Sequence, residues 1–145
     1  MRVHANDGIS AQAKDSLAEE GFKVTTDHVP QDQLTDYINK EHVEVLLVRS
    51  ATKVRRELID ACPGLKLIGR GGVGLDNIDV AYAKDKGIPV INTPASSSIS
   101  VAELVMAHLF SLMRSLHKSN RRMPAEGRTK FKELKKEAKA KAKAK

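Results

Sequence analysis

Three glycines in the stretch GRGGVGLDN (residues 69–77) stand at the spacing G-x-G-x-x-G: Gly69, Gly71 and Gly74. Glycines so placed free main-chain N–H groups to meet an anion, either the pyrophosphate of a dinucleotide or a smaller carboxylate or phosphate. The dinucleotide reading needs an Asp or Glu about 20 residues on, at the end of the next strand, to hold ribose hydroxyls. Here the next apolar run ends in Asn92, Thr93, Pro94 and Ala95. The third glycine should also open a helix, yet Asp76 and Asn77 are the better helix start, because their side chains can cap free N–H groups. The pattern therefore favours an anion site. The amides of Gly71 and Gly72 would hold the ligand, backed by the positive end of a helix beginning near Asp76, with Arg49 and Arg70 adding charge at neighbouring strand ends. A ligand-free glycine turn and a dinucleotide cradle stay open as alternatives.

Other residue types offer less. Cys62 is the only cysteine, so an internal disulfide or multi-cysteine zinc site is excluded and a reducing cytoplasm is the expected compartment. As a nucleophile it competes with the plainer reading of a small buried residue near a helix end. His4, His28, His42, His108 and His117 show no ligand spacing with an acid or thiol nearby, so no metal site is expected. No residue stands out as a general acid or base.

These groups need a scaffold, and the chain supplies a regular one. Apolar runs over 2–5, 22–26, 43–48, 65–68 and 88–91 alternate with helical stretches of about ten residues. Ser10 is placed to open the first helix and Gly21 to close it; Pro30 starts the second, and Gly87 ends the helix before the last strand. Alternation of this kind predicts an α/β fold, a doubly wound parallel five-stranded sheet of order 2-1-3-4-5, with its ligand crevice at the carboxyl ends of the strands. Asn6-Asp7-Gly8, the segment 49–53, the glycine segment and Asn92-Thr93-Pro94 all fall at those ends.

The length of 145 residues suits one ordinary domain. The net charge of +7 is localised: residues 114–145 hold 13 Lys or Arg against 3 Glu, whereas residues 1–113 hold 12 basic against 15 acidic groups. The closing EAKAKAKAK has no apolar face on a helix or strand and no aromatic residue for base stacking, so a solvated or frayed tail is expected over a nucleic-acid arm. No apolar run approaches the ~20 residues of a membrane span, and no basic start precedes an apolar block at the amino terminus; a soluble cytoplasmic protein is expected.

Four segments in this order and spacing, LLVRSATKV (46–54), IGRGGVGLDNIDV (68–80), GIPVINTP (87–94) and SVAELVMAHLFSLMR (100–114), resemble the amino-terminal part of D-2-hydroxyacid dehydrogenases. VRSATK resembles the phosphoglycerate dehydrogenase branch rather than the lactate or formate ones. The resemblance covers roughly residues 1–135. It implies a flavodoxin-like substrate-binding domain over 1–99 and a long helix at the domain and dimer boundary over 100–123; the basic low-complexity tail over 124–145 is read from composition, and its alternating Ala and Lys after Glu137 depart from the family. It also implies that the glycine segment serves the substrate: Gly71, Gly72 and Gly74 would lend amides to the carboxylate of a 2-hydroxy acid. Arg49 and Ser50 match positions that contact substrate, and Arg70 is a second candidate for phosphate. On the cofactor side, Val73 and Asn92 are the expected neighbours of NAD. The reaction implied is NAD-linked oxidation of D-3-phosphoglycerate, the entry to serine synthesis.

The family's Rossmann domain, with its own G-x-G-x-x-G and its catalytic Arg, Glu and His, matches nothing in these 145 residues. Binding of small anions without turnover is therefore expected, with no tight NAD binding. The apolar stripe Val101, Leu104, Val105, His108, Leu109, Leu112, Met113 and Leu116 predicts a homodimer through helix 100–123, or a helix folded back on its own sheet. Two rivals from other classes are a receiver-like module and a nucleic-acid binder acting through the tail. The receiver would need an acidic pair after the first strand and an Asp ending the third, where Arg49 stands.

Overall fold

Short aliphatic runs become strands here because every residue of a central parallel strand needs side-chain cover on both faces. The computed structural model describes residues 1–143, and the chain divides into two units, Met1–Ser97 and Ser98–Lys145.

In the first unit the order is β1 (Arg2–Ala5), α1 (Ala11–Glu19), β2 (Lys23–Thr25), α2 (Leu34–Lys40), β3 (Val45–Val48), α3 (Arg56–Ala61), β4 (Leu67–Arg70), α4 (Val80–Asp85) and β5 (Val90–Asn92). The five strands are all parallel in the order β2-β1-β3-β4-β5, the predicted doubly wound arrangement. Right-handed crossovers place α1 on one face and α2, α3 and α4 on the other, because the strand order reverses direction between the first connection and the rest. Leu46, Val48 and Ile68 point into the three-helix face, where they join Leu34, Ile38, Leu58, Ile59 and Cys62 in the main core. Burial of one such Leu or Ile side chain contributes about 2 kcal/mol. The α1 face is thinner, and no residue of α1 is buried.

The local signals sit where the sequence puts them at α1. Ser10 caps the helix by accepting the Ala13 N–H at 3.2 Å, and Gly21 follows at φ +82°. Gly87, at φ +75°, ends α4. Pro30 precedes α2 by a turn rather than opening it.

In the second unit, α5 (Ser98–Met113) and α6 (Leu116–Lys143) are separated at Ser115, whose φ is +52°. The continuous helix expected over 100–123 is thus interrupted. A second bend falls at Lys130, and Arg122 meets Glu137 at 2.8 Å. Fifteen residues along a straight helix would span about 22 Å, so α6 doubles back on itself. Described residues of the closing EAKAKAKAK segment are helical, where a solvated or frayed tail was expected, because Ala and Lys are strong helix formers even with no apolar face to bury. Ala144 and Lys145 lie outside the described residues. Among the described residues no single helix is long and apolar enough to cross a membrane.

Candidate functional site

The carboxyl ends of β1, β3, β4 and β5 border one cleft of about 620 Å³. Asp7, Gly8, Ile9, Ser10 and Ala13 line it from the first turn and α1; Leu47, Val48 and Arg49, then Gly69, Arg70 and Gly71, from the central strands; Ile91, Asn92 and Thr93 from β5. Ile91 is 53% exposed although it lies within a strand. The mixture is an apolar sheet surface edged by one carboxylate and two guanidinium groups.

Asp7 holds the loop after β3. Its Oδ2 accepts the N–H of Arg49 at 2.6 Å and that of Thr52 at 3.1 Å, while Oδ1 accepts the Thr52 hydroxyl at 2.6 Å. Burial opposes the charge on this carboxylate, but the Thr52 hydroxyl and the main-chain donors outweigh it and hold the group below its ordinary range.

Arg70 holds the loop after β4. Its Nε donates to the Arg49 carbonyl at 3.2 Å, Nη1 donates to the Gly74 carbonyl, and Nη2 lies 3.6 Å from Asp76. The side chain is only 12% exposed. Asn77 ties the two loops together through its Nδ2, which donates to the carbonyls of Arg49 at 2.8 Å and Thr52 at 2.6 Å. A parallel bridge between Val54 and Ile78 extends the join: the Val54 N–H donates to Asn77 and the Asp79 N–H to Val54, each at 2.9 Å.

This geometry corrects three expectations. Asp76 and Asn77 do not start a helix, since Asp76 pairs with Arg70 and Asn77 serves the loop join; α4 begins at Val80, capped by Asp79. A helix of six residues starting so far on supplies no positive end behind Gly71 and Gly72. The Gly71 N–H donates to Val48 at 2.9 Å, continuing the β3–β4 ladder, and the Gly72 N–H donates to Arg70 at 3.0 Å in a three-residue turn. The two amides are engaged by the protein. Arg70 is likewise occupied as a brace.

Of the sequence candidates, Arg49, Arg70, Gly71 and Asn92 share the cleft, whereas Ser50, Gly72, Val73 and Gly74 do not line it. Val73 is 51% exposed, and its carbonyl accepts the Asn92 amide at 2.7 Å, so Asn92 positions the loop. Asp7, Gly8, Ile9, Ser10, Ala13, Leu47, Val48, Gly69, Ile91 and Thr93 complete the lining; none was named as a ligand contact, although Asp7, Gly8 and Thr93 were placed at the strand ends. For Asp7 the available signal was an Asn-Asp-Gly turn directly after the first strand.

The glycines also decide the dinucleotide question. A Cβ on Gly72 would lie 3.4 Å from Arg70 Nη1, and one on Gly74 3.1 Å from the same atom. Small residues at these two positions leave room for the Arg70 guanidinium. With no acid after β5, the segment does not fit a dinucleotide cradle. Cys62 is fully buried, and burial pushes its thiol up to about 11, which leaves it a packing residue. No group of three or more potential metal ligands occurs among the described residues.

The fold defines a doubly wound domain with a crevice at its strand ends. Residues 3–143 match the D-isomer specific 2-hydroxyacid dehydrogenase catalytic domain, and the chain belongs to that family. It is 47% identical over 116 residues to a hydroxypyruvate reductase of Thermotoga maritima, covering 79% of this chain and 37% of that one. It is 40% identical over 116 residues to a D-3-phosphoglycerate dehydrogenase of Methanocaldococcus jannaschii, covering 80% and 22%. A solved NAD⁺-bound 3-phosphoglycerate dehydrogenase of Entamoeba histolytica superimposes with a TM-score of 0.64 at 26% identity, over 79% of this chain and 39% of that one. The chain thus spans between about a fifth and two fifths of these relatives.

Proposed function

We propose that this chain is the substrate-binding part of an NAD-dependent D-2-hydroxyacid dehydrogenase, taking a small acid such as D-3-phosphoglycerate into the cleft at the strand ends. One observation carries the reading. The Arg49 guanidinium borders the cleft with no carboxylate or carbonyl partner among the described residues, while Arg70 beside it is engaged on three sides. A planar guanidinium presents two parallel N–H donors to a carboxylate or phosphate, which makes Arg49 the primary anion ligand. Ser50 follows it directly. On the facing loop, the N–H groups of Val73 and Gly74 meet no acceptor among the described residues and supply further donors.

In the whole enzyme, NAD would take up a hydride from C2 of the hydroxy acid, giving the 2-keto acid and a proton. The nicotinamide would approach the exposed side chain of Val73. No residue of this chain is assigned the proton transfer, so these 145 residues are expected to bind acid weakly and to turn nothing over.

A second substrate, the unphosphorylated three-carbon acid, is favoured by the engagement of Arg70: one open guanidinium serves one anionic group. Calorimetry with 3-phosphoglycerate and with D-glycerate separates the two. Binding of 3-phosphoglycerate at least as tight as D-glycerate supports the phosphorylated acid, and the reverse order supports the other. Arg49→Gln should weaken either acid by about tenfold, the worth of one charge-assisted pair. Unchanged affinity in that variant contradicts the assignment.

For the assembly, a second copy of this chain is the proposed partner, through α5, and neither nucleic acid nor membrane is. Ile99, Val101, Leu104, Val105, Leu109 and Phe110 are all exposed on that helix, and apolar surfaces of this extent associate. Light scattering should give a mass rising from 15.9 kDa toward twice that with concentration; a constant monomer mass removes the dimer.

A further inference from the structure

We infer that Asp7 is a positioning residue of this cleft, whose carboxylate gathers the donors of the 49–52 loop and thereby presents the Arg49 guanidinium to an entering anion. The inference rests on the reading of Arg49 as the anion ligand.

The direction of each hydrogen bond around Asp7 can be worked out from one fixed point. The main chain of Val29 holds the Asn6 amide both ways round: the Val29 N–H donates to Asn6 Oδ1 at 2.9 Å, and Asn6 Nδ2 donates to the Val29 carbonyl at 3.1 Å. Only one orientation of the Asn6 side chain satisfies both. Nδ2 then donates its other proton to Thr52 Oγ1 at 2.8 Å. With an acceptor role assigned to Thr52 Oγ1, its own proton goes to Asp7 Oδ1 at 2.6 Å.

The same fixed point acts in the other direction. Asn6 Oδ1 also faces His4 Nε2 at 3.1 Å, so that nitrogen donates, and His4 Nδ1 accepts from the Thr25 hydroxyl at 2.8 Å. His4, Asn6 and Thr52 are buried, at 0%, 2% and 3% exposure, so the roles from His4 Nε2 to the Thr52 hydroxyl are not exchanged with water. Each donor and acceptor between His4 Nε2 and Asp7 therefore has one assigned role. Asp7 also receives the Arg49 and Thr52 N–H groups, which have no other orientation.

A site that only receives donors requires a group that only accepts, and among side chains of this size that is the ionised carboxylate. Asparagine has the same shape but would turn an NH₂ toward at least one of these donors. Asp7 touches the loop rather than the ligand, because its oxygens are already occupied. What it sets is where the main chain at Arg49 lies, and so where the guanidinium begins.

The test uses the 145-residue chain with 3-phosphoglycerate as probe, following ¹⁵N-resolved amide resonances. In Asp7→Asn the Arg49 and Thr52 amide protons should shift upfield as they lose a charged acceptor, and affinity should fall about tenfold, while amides of β4 and β5 stay in place. Thr52→Ser, which keeps the hydroxyl, should retain wild-type affinity. Thr52→Val, which keeps the shape and leaves the Asn6 donor unmatched, should lose it by a similar factor. If Asp7→Asn does not fold, the Ser and Val pair carries the test. Wild-type affinity in both Asp7→Asn and Thr52→Val overturns the inference. If the wild-type chain itself takes up no 3-phosphoglycerate, the substrate reading falls; the amide shifts then decide Asp7 alone, and unmoved Arg49 and Thr52 resonances overturn its role.

Discussion

The loops after β3 and β4 lie side by side, and they are anchored by groups of opposite charge. The first is gathered by a carboxylate, so its N–H groups turn inward to Asp7. The second is gathered by a guanidinium, so its Gly74 carbonyl turns inward to Arg70, while Asn77 donates to carbonyls of the first. An inward carbonyl leaves the neighbouring N–H groups to face elsewhere. The pair of anchors therefore separates the labour: the β3 loop offers an anion its side chain, Arg49, and the β4 loop offers main-chain donors near Val73 and Gly74.

Removing the connection between the loops should have the largest effect. Asn77 is 6% exposed, and its two bonds fasten the β4 loop to carbonyls of the β3 loop. Asn77→Ala should cost about 2–3 kcal/mol in urea unfolding, since two carbonyls lose a buried partner. A change below about 0.5 kcal/mol would mean that the loops hold their shape independently.

Replacing the cationic anchor comes next. Arg70→Lys keeps the charge but cannot reach the Arg49 and Gly74 carbonyls together. Hydrogen exchange should accelerate at the Gly72 amide, the bonded N–H of that turn, with those of Arg49 and Thr52 unaffected; faster exchange in both loops alike would contradict separate anchoring.

Asp7 gives the pH dependence. Its folded pKa is depressed, so its contribution is fully present above the unfolded carboxylate value near 4 and is lost as pH falls through the lower folded value. Exchange at the Arg49 and Thr52 amides, corrected for its intrinsic pH dependence, should rise as acid protonates Asp7. That rise should be absent in Asp7→Asn.

The smallest effects distinguish the glycines. Gly74→Ala places a Cβ 3.1 Å from Arg70 Nη1 and 3.3 Å from Asp76, which should destabilise by about 1 kcal/mol. Gly64→Ala meets nothing within 4 Å at an ordinary φ and should be neutral. Equal effects at the two positions would remove the packing explanation for the glycine segment.

Much of this architecture could be read in the sequence, and for identifiable reasons. Alternating apolar runs and helical stretches determine a parallel sheet, and Ser10, Gly21 and Gly87 act through local geometry that neighbours cannot easily override. Arg49 was visible because a cation directly after an aliphatic strand must sit at a carboxyl end. The destination of Asp76, Asn77 and Arg70 was not visible. Each has a sound local role, as helix cap or ligand, but their partners are 4 to 28 residues away and include the adjoining loop. The Gly71 N–H was misjudged for a related reason: β4 extends two residues beyond the expected end at Ile68, so the ladder claims that amide first. Asp7 carried no periodic signal at all, since its function depends on donors 42 and 45 residues distant.

The most direct measurement is an amide-resolved titration of the full chain with 3-phosphoglycerate and, separately, with NAD. The account predicts shifts at Arg49, Ser50, Val73 and Gly74 with the acid, and none there with NAD alone. A response of Gly69 to Gly74 to NAD, with the acid leaving Arg49 unmoved, would contradict it.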